Sequence, residues 1–178
     1  MKDYIEQATQ TESLNPTFAH PRLLHAAMGL STEVAELLLA EDDDDINVRE
    51  ELGDILWYTA VVGSVFEVSY PELRSLANPW VVQQDPLKSL IRGASEVLDH
   101  MKKVCFYGIA EVDGVLLGQQ VANIILAVSI LAEDEGWTLE EVQEINIAKL
   151  RRRYGKKFTT EAAINRNLEA EHDVLSSA

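Results

Sequence analysis

Cysteine is nearly missing. Cys105 is the only one in 178 residues, so the chain can close no internal disulfide. That suits a reducing compartment. Positive charge is also scarce: fifteen lysines and arginines stand against thirty acids, for a formal net charge of −15. A surface this acidic repels phosphate backbones, which argues against binding a nucleic acid polymer. A small anion held through a metal ion is still compatible with it. Long membrane-like runs are lacking too. A long uncharged stretch, Val115 to Ala132, has 18 residues but includes Gln119, Gln120, Asn123 and Ser129, so it reads as a buried helix. The N-terminal "MKDYIEQATQTE" is polar and has no apolar signal core. The expectation is a cytoplasmic chain with no membrane association.

Strand signals are weak, and helical spacing dominates, with Leu, Ala, Glu and Ile in long runs. Helices are expected near 21–41, 48–66, 70–77, 87–106, 114–134, 139–154 and 160–174. Three of the five prolines (Pro71, Pro79 and Pro86) fall in 67–86, which reads as a connector with one short helix. "EDDDD", Glu41 to Asp45, reads as a solvated acidic loop between the first two long helices.

An internal repeat runs through the chain. With a shift of 69, Glu51 to Leu73 lies over Gln120 to Val142 without a gap, and Ser69 and Glu72 fall on Thr138 and Glu141. Each of those pairs is a Ser/Thr-x-x-Glu capping box. "STEVAELLL" resembles "ASEVLDHMK" earlier in each half, with a register ambiguous by three residues. The expected fold is therefore all-α, a single domain with a four-helix core of two repeated helix pairs, over about 21–77 and 87–154, followed by a tail over 155–178.

The chemistry sits in an apolar place. In "EELGDILWYTAVVGSVF", Glu50 to Phe66, Asp54 is the only charge after Leu52, and Glu51 lies one turn before it on the same face. Gly53 lies between them, where a helical glycine costs about 1 kcal/mol, so a close approach by another helix or a ligand is expected there. The preceding helix carries Glu33 and Glu36 at the same spacing, in a stripe with Ala26, Gly29 and Ala40. A lone Glu-x-x-Glu is common on solvated helices. Two such pairs on adjacent antiparallel helices, framed by small and apolar residues, are much rarer. Four carboxylates facing one another in such surroundings would repel and take up protons unless a cation joined them. Mg²⁺, or Mn²⁺, prefers such hard oxygen ligands.

A second stretch, "NIAKLRRRYGKKF", Asn146 to Phe158, holds six of the fifteen basic residues. The stripe Leu139, Val142, Asn146, Lys149, Arg153 starts apolar and turns basic, so it points to phosphate contact by Lys149 and Arg153. Arg151 and Arg152 read as complements to a helix C-terminus. Lys102 and Lys103 are a second candidate pair. Trp57 and Tyr58 read as core residues that could also meet a base, and His25 and His100 as packing or surface residues.

These residues together resemble a known family. Glu33-x-x-Glu36 followed after fourteen residues by Glu51-x-x-Asp54, with "EELGDILWY" and the later Asn-x-x-Lys-x-x-x-Arg-Tyr, is similar to the all-α nucleoside triphosphate pyrophosphohydrolases, the MazG-like superfamily. Dimeric dUTPases and phosphoribosyl-ATP pyrophosphohydrolases belong to the same group. The tail resembles those of phage-type members. The resemblance implies hydrolysis of a (deoxy)nucleoside triphosphate to the monophosphate and pyrophosphate, with Mg²⁺ as cofactor, in a homodimer or homotetramer. It implies that Glu33, Glu36, Glu51 and Asp54 hold the metal and carry catalysis, with Glu33 or Glu36 as general base. Asn146, Lys149 and Arg153 would hold the phosphates. In the second half the matching positions are Gln120 and Asn123, with Glu96 and Asp99 or Gly93 and Glu96 opposite them, so one active site per chain is expected. The alternatives are a non-catalytic metal- or nucleotide-binding module of the same fold and, with one Glu-x-x-His in the tail (Glu169 and His172), a di-iron bundle.

Overall fold

The computed structural model describes residues 4–12, 19–40, 44–108, 111–155 and 157–176, and none of these forms a strand. The fold is all-α. The helices are α1 (Tyr4–Ala8), continued by a 3-10 turn (Thr9–Thr11), α2 (Pro21–Leu39), α3 (Asp45–Val65), α4 (Tyr70–Ser75), α5 (Pro79–Val82), α6 (Pro86–Phe106), α7 (Gly114–Asp134), α8 (Leu139–Tyr154), α9 (Thr160–Ile164) and α10 (Leu168–Ser176).

Apart from α2, which opens on Pro21, the long helices begin where a side chain can satisfy the free N–H groups of a first turn. Asp44, Asp85 and Asp113 accept from the backbone N–H of Asn47, Lys88 and Leu116 at 3.0, 2.9 and 2.9 Å. Both capping boxes close reciprocally, Ser69 with Glu72 and Thr138 with Glu141. α8 stops at Gly155, which takes a φ of 66° that side chains resist.

α2 and α3 run antiparallel, as do α6 and α7, and the pairs join through α2 against α6 and α3 against α7 to make a four-helix core. α8 lies across α3, and α10 packs on both. α3 is thus enclosed on nearly every side. Leu52, Ile55, Leu56, Ala60 and Val61 are fully buried, which explains a helix with almost no polar face. α7 is the one helix among the described residues long and apolar enough to cross a membrane, and 56% of its apolar window is buried inside the fold.

The offset of 69 that aligns the two halves of the sequence also carries both ends of α3 onto α7 and the start of α4 onto the start of α8. The ambiguous register on α6 resolves to Gly93 and Glu96. A Cβ on Gly93 would meet Ile124 Cγ1 at 2.7 Å and the Gln120 carbonyl at 3.4 Å, so hydrocarbon fills the place where the first pair carries acids. Asn123 accepts from the Asn78 N–H at 2.8 Å, and Gln119 donates to the Leu76 carbonyl at 2.5 Å. The amides of α7 thus bind the connector between the halves.

Three segments differ from expectation. The connector forms two short helices, α4 and α5, each opened by its own proline. The tail is broken at Asn165–Asn167, because Asn167 turns its Oδ1 to the Ala170 N–H at 3.1 Å and starts α10 afresh. The polar N-terminus contributes to the core through Tyr4, Ile5 and Ala8. Glu41 to Asp43 of the acidic stretch, and Lys156 of the basic one, lie outside the described residues.

Candidate functional site

α2 and α3 meet through small residues. A Cβ on Gly29 would overlap the Tyr58 ring, so glycine lets the helices close there. One and two turns further along α2, Glu33 and Glu36 come opposite Glu51 of α3. Each offers a carboxylate oxygen, and the three oxygens lie within 4.8 Å of one another. Glu36 is exposed, Glu33 half-buried and Glu51 only 6% exposed. Glu51 Oε2 is buried and receives no donor. Burial first, then the charge of Asp54, pushes the Glu51 carboxyl up to about 9. The same two causes push Glu33 up to about 7, against the opposing influence of its contact with Glu51. Acids this close, in this little water, must keep a proton or gain a cation.

Asp54 stands apart from the other three. Lys149 Nζ donates to its Oδ1 and Oδ2 at 2.7 and 2.6 Å, and Asn146 Nδ2 donates to Oδ1 at 2.7 Å. The metal-binding set expected from spacing is therefore split in this structure, with three glutamates converging and Asp54 held by α8. Gly53 explains why α8 can come so near: a Cβ there would meet Asn146 Cβ at 2.9 Å. Asn146 also accepts from the Tyr4 hydroxyl at 3.3 Å, which fixes its orientation. Lys149 is fully buried. Burial works to lower its ammonium, but Asp54 and Glu50 outweigh it and hold the group above the usual lysine range.

These groups adjoin a cavity of about 640 Å³ lined by the three glutamates, Asp54, Glu50, Arg153 and Arg166, with His25, Trp57 and Tyr58 forming an aromatic wall. His25 meets both aromatic rings edge-on, at centroid distances of 6.0 and 5.4 Å. Trp57 donates its indole N–H to the Ala8 carbonyl at 2.8 Å. Of the residues expected to bind phosphate, Arg153 lines the cavity, whereas Asn146 and Lys149 sit behind Asp54 and brace it. Lys102 and Lys103 are not brought to the cavity at all. Both bind Asp99 on the exposed face of α6, at 2.5 Å each. His100 accepts the Asp113 N–H at 2.9 Å and is a packing residue.

Sequence reasoning missed three groups. His25 lies two turns before Glu33, a spacing that signals the shared face. Glu50 lies one turn before Asp54, but the Glu-x-x-Asp spacing picks out its neighbour Glu51 instead. Arg166 had no signal, because only the break between α9 and α10 turns it back to the site.

No family model, no curated protein and no solved structure matches the chain.

Proposed function

We propose that the chain is a metal-dependent hydrolase that cleaves a (deoxy)nucleoside triphosphate to the monophosphate and pyrophosphate, in the manner of the MazG-like superfamily. One observation carries this reading: three carboxylates converge at the wall of a cavity that two arginines, Arg153 and Arg166, also line. The glutamate set fits a hard divalent cation, Mg²⁺ or Mn²⁺, since its donors are all carboxylate oxygens and the buried Oε2 of Glu51 has no donor to receive. Glu33, Glu36 and Glu51 would hold the ion, with Asp54 beside them. Such an ion neutralises phosphate charge and acidifies water.

The residues of the chain supply the rest. Arg153 binds and orients the phosphates by charge and hydrogen bonding. Lys149 and Asn146 hold Asp54 in place through their hydrogen bonds. Trp57, Tyr58 and His25 give the base a wall that excludes water. A water molecule attacks the α-phosphorus, its proton passes to a carboxylate of the cluster, and the bond to the bridging oxygen breaks so that pyrophosphate leaves with the electron pair. Exposed apolar side chains such as Met28, Leu39 and Trp80 offer surface for the homodimer or homotetramer that the resemblance implies.

The engagement of both Asp54 oxygens by α8 favours one second reading, a module that binds metal or nucleotide without turnover. Pyrophosphate release from a panel of standard and modified nucleotides with Mg²⁺ separates the two. Release that is lost in Glu36→Gln and Asp54→Asn supports the enzyme. Metal binding with no release from any nucleotide supports the module.

A further inference from the structure

Three cations from two parts of the chain converge on a single atom. Glu50 Oε1 receives Lys149 Nζ at 3.0 Å and Arg166 Nη2 at 3.2 Å, and Arg153 Nη2 lies 3.9 Å away. Behind the two arginines is Glu171, only 3% exposed, which accepts from Arg153 Nε at 2.9 Å and from Arg166 Nη2 at 2.7 Å. A buried carboxylate that grips two guanidiniums fixes their direction. The Glu50 side chain, unlike that of Glu171, is 21% exposed and lines the cavity, so this carboxylate has room to turn.

Arg166 has no helical neighbour to serve, since it lies in the break between α9 and α10. Its side chain is 37% exposed at the wall of the same cavity as the three glutamates. Two guanidiniums that line one cavity and face one oxygen form a receptor for a multiply charged oxyanion. A flexible carboxylate is a weak occupant of such a receptor, because it brings one charge where the terminal phosphates of a polyphosphate bring several.

We infer that Arg166 is a further substrate-binding residue and that Glu50 holds the place of the terminal phosphates, which take over its two arginine partners when the polyphosphate chain of the substrate enters. Glu171 is the positioning residue that aims both arginines. The inference rests on the proposed reading of the site as a triphosphate site. It adds that the tail after α8 is part of the binding surface, and that this surface contains its own competitor.

The test measures equilibrium binding of inorganic tripolyphosphate to the full chain in Mg²⁺, with turnover of the best nucleotide measured in parallel. Arg166→Gln is expected to weaken tripolyphosphate about tenfold and to raise KM by a similar factor with little change in kcat. Arg166→Lys is expected to recover part of the loss. Glu50→Gln is expected to do the opposite and tighten tripolyphosphate several-fold, although it removes an ion-pair partner. A merely structural network predicts that both variants weaken binding or leave it alone, and either result overturns the inference, as does a wild-type chain that does not bind tripolyphosphate. Wild-type binding without turnover of any nucleotide overturns the catalytic reading instead, and the opposite shifts of the two variants still decide the inference.

Discussion

Replacing Glu51 by glutamine is predicted to make the metal-free chain more stable at neutral and alkaline pH while abolishing metal binding. Glu51 is 6% exposed, and its carboxyl is raised from 4.5 to about 9. The native state therefore keeps a proton at pH 7 that the unfolded chain releases. Where the native state binds more protons, stability falls as pH rises. For Glu51 the fall begins near pH 4.5, where the unfolded group titrates, and continues until the native group ionises near 9. At pH 7 the unfolded chain is 2.5 pH units past its own titration, which amounts to about 3 kcal/mol at ~1.4 kcal/mol per unit. At pH 5 the same difference is under about 1 kcal/mol. Glutamine has nearly the same shape and no charge, so it removes the pH-dependent cost. For a chain of this size, 3 kcal/mol corresponds to about 6–12 °C in Tm. Thermal melts in a chelator at pH 5, 7 and 8.5 check this. Wild type should lose Tm across the series, and Glu51→Gln should lose much less and overtake it by pH 7. Parallel pH profiles for the two proteins would refute the argument that buried, facing carboxylates strain this fold.

Other perturbations test the supports of the site. Lys149→Met should destabilise the chain by about 2–3 kcal/mol in denaturant titrations, below the 3–5 typical of breaking a buried pair, because Asp54 and Glu50 each keep about a fifth of their side chains exposed. A loss under about 1 kcal/mol would show that the ion pairs do not hold α8 to α3. Gly53→Ala should cost about 1–3 kcal/mol and lower activity, because its Cβ would come within 2.9 Å of Asn146 Cβ and push α8 off Asp54. Unchanged melting and turnover would contradict the close approach. Mg²⁺ added at pH 8 should raise the Tm of wild type but not of Glu51→Gln, since only an ion bound to the folded glutamates stabilises the native state by mass action. An equal rise in both would place the ion elsewhere.

Much of this arrangement is legible in the sequence. The capping boxes at Ser69 and Thr138 fixed two helix starts, because a side chain that satisfies a first turn leaves little choice of register. Gly53 announced a close neighbour, and the neighbour is Asn146. The spacing of Glu33, Glu36 and Glu51 placed them on facing stripes, where the structure has them. Spacing could not say which acid would take a cation from α8, since Asp54 and Glu51 differ by a single turn and only packing brings Lys149 to one of them. It also could not separate a lysine that faces a cavity from one that braces its wall. The part played by the N-terminus depends on the Tyr4 hydroxyl, which meets α8, and on the Ala8 carbonyl, which meets Trp57, each across more than forty residues of sequence, so no local pattern reveals it. Arg166 reaches the site through a helix break set by Asn167, a turn that periodicity over the tail does not register.

The central claim is that Glu33, Glu36 and Glu51 together hold a divalent cation. Electron paramagnetic resonance of Mn²⁺ titrated into the full chain tests it most directly, with wild type compared against Glu33→Gln, Glu36→Gln and Glu51→Gln. The account predicts saturable binding in wild type that weakens by at least about tenfold in every variant. Mn²⁺ binding of the same strength in all four proteins would contradict it.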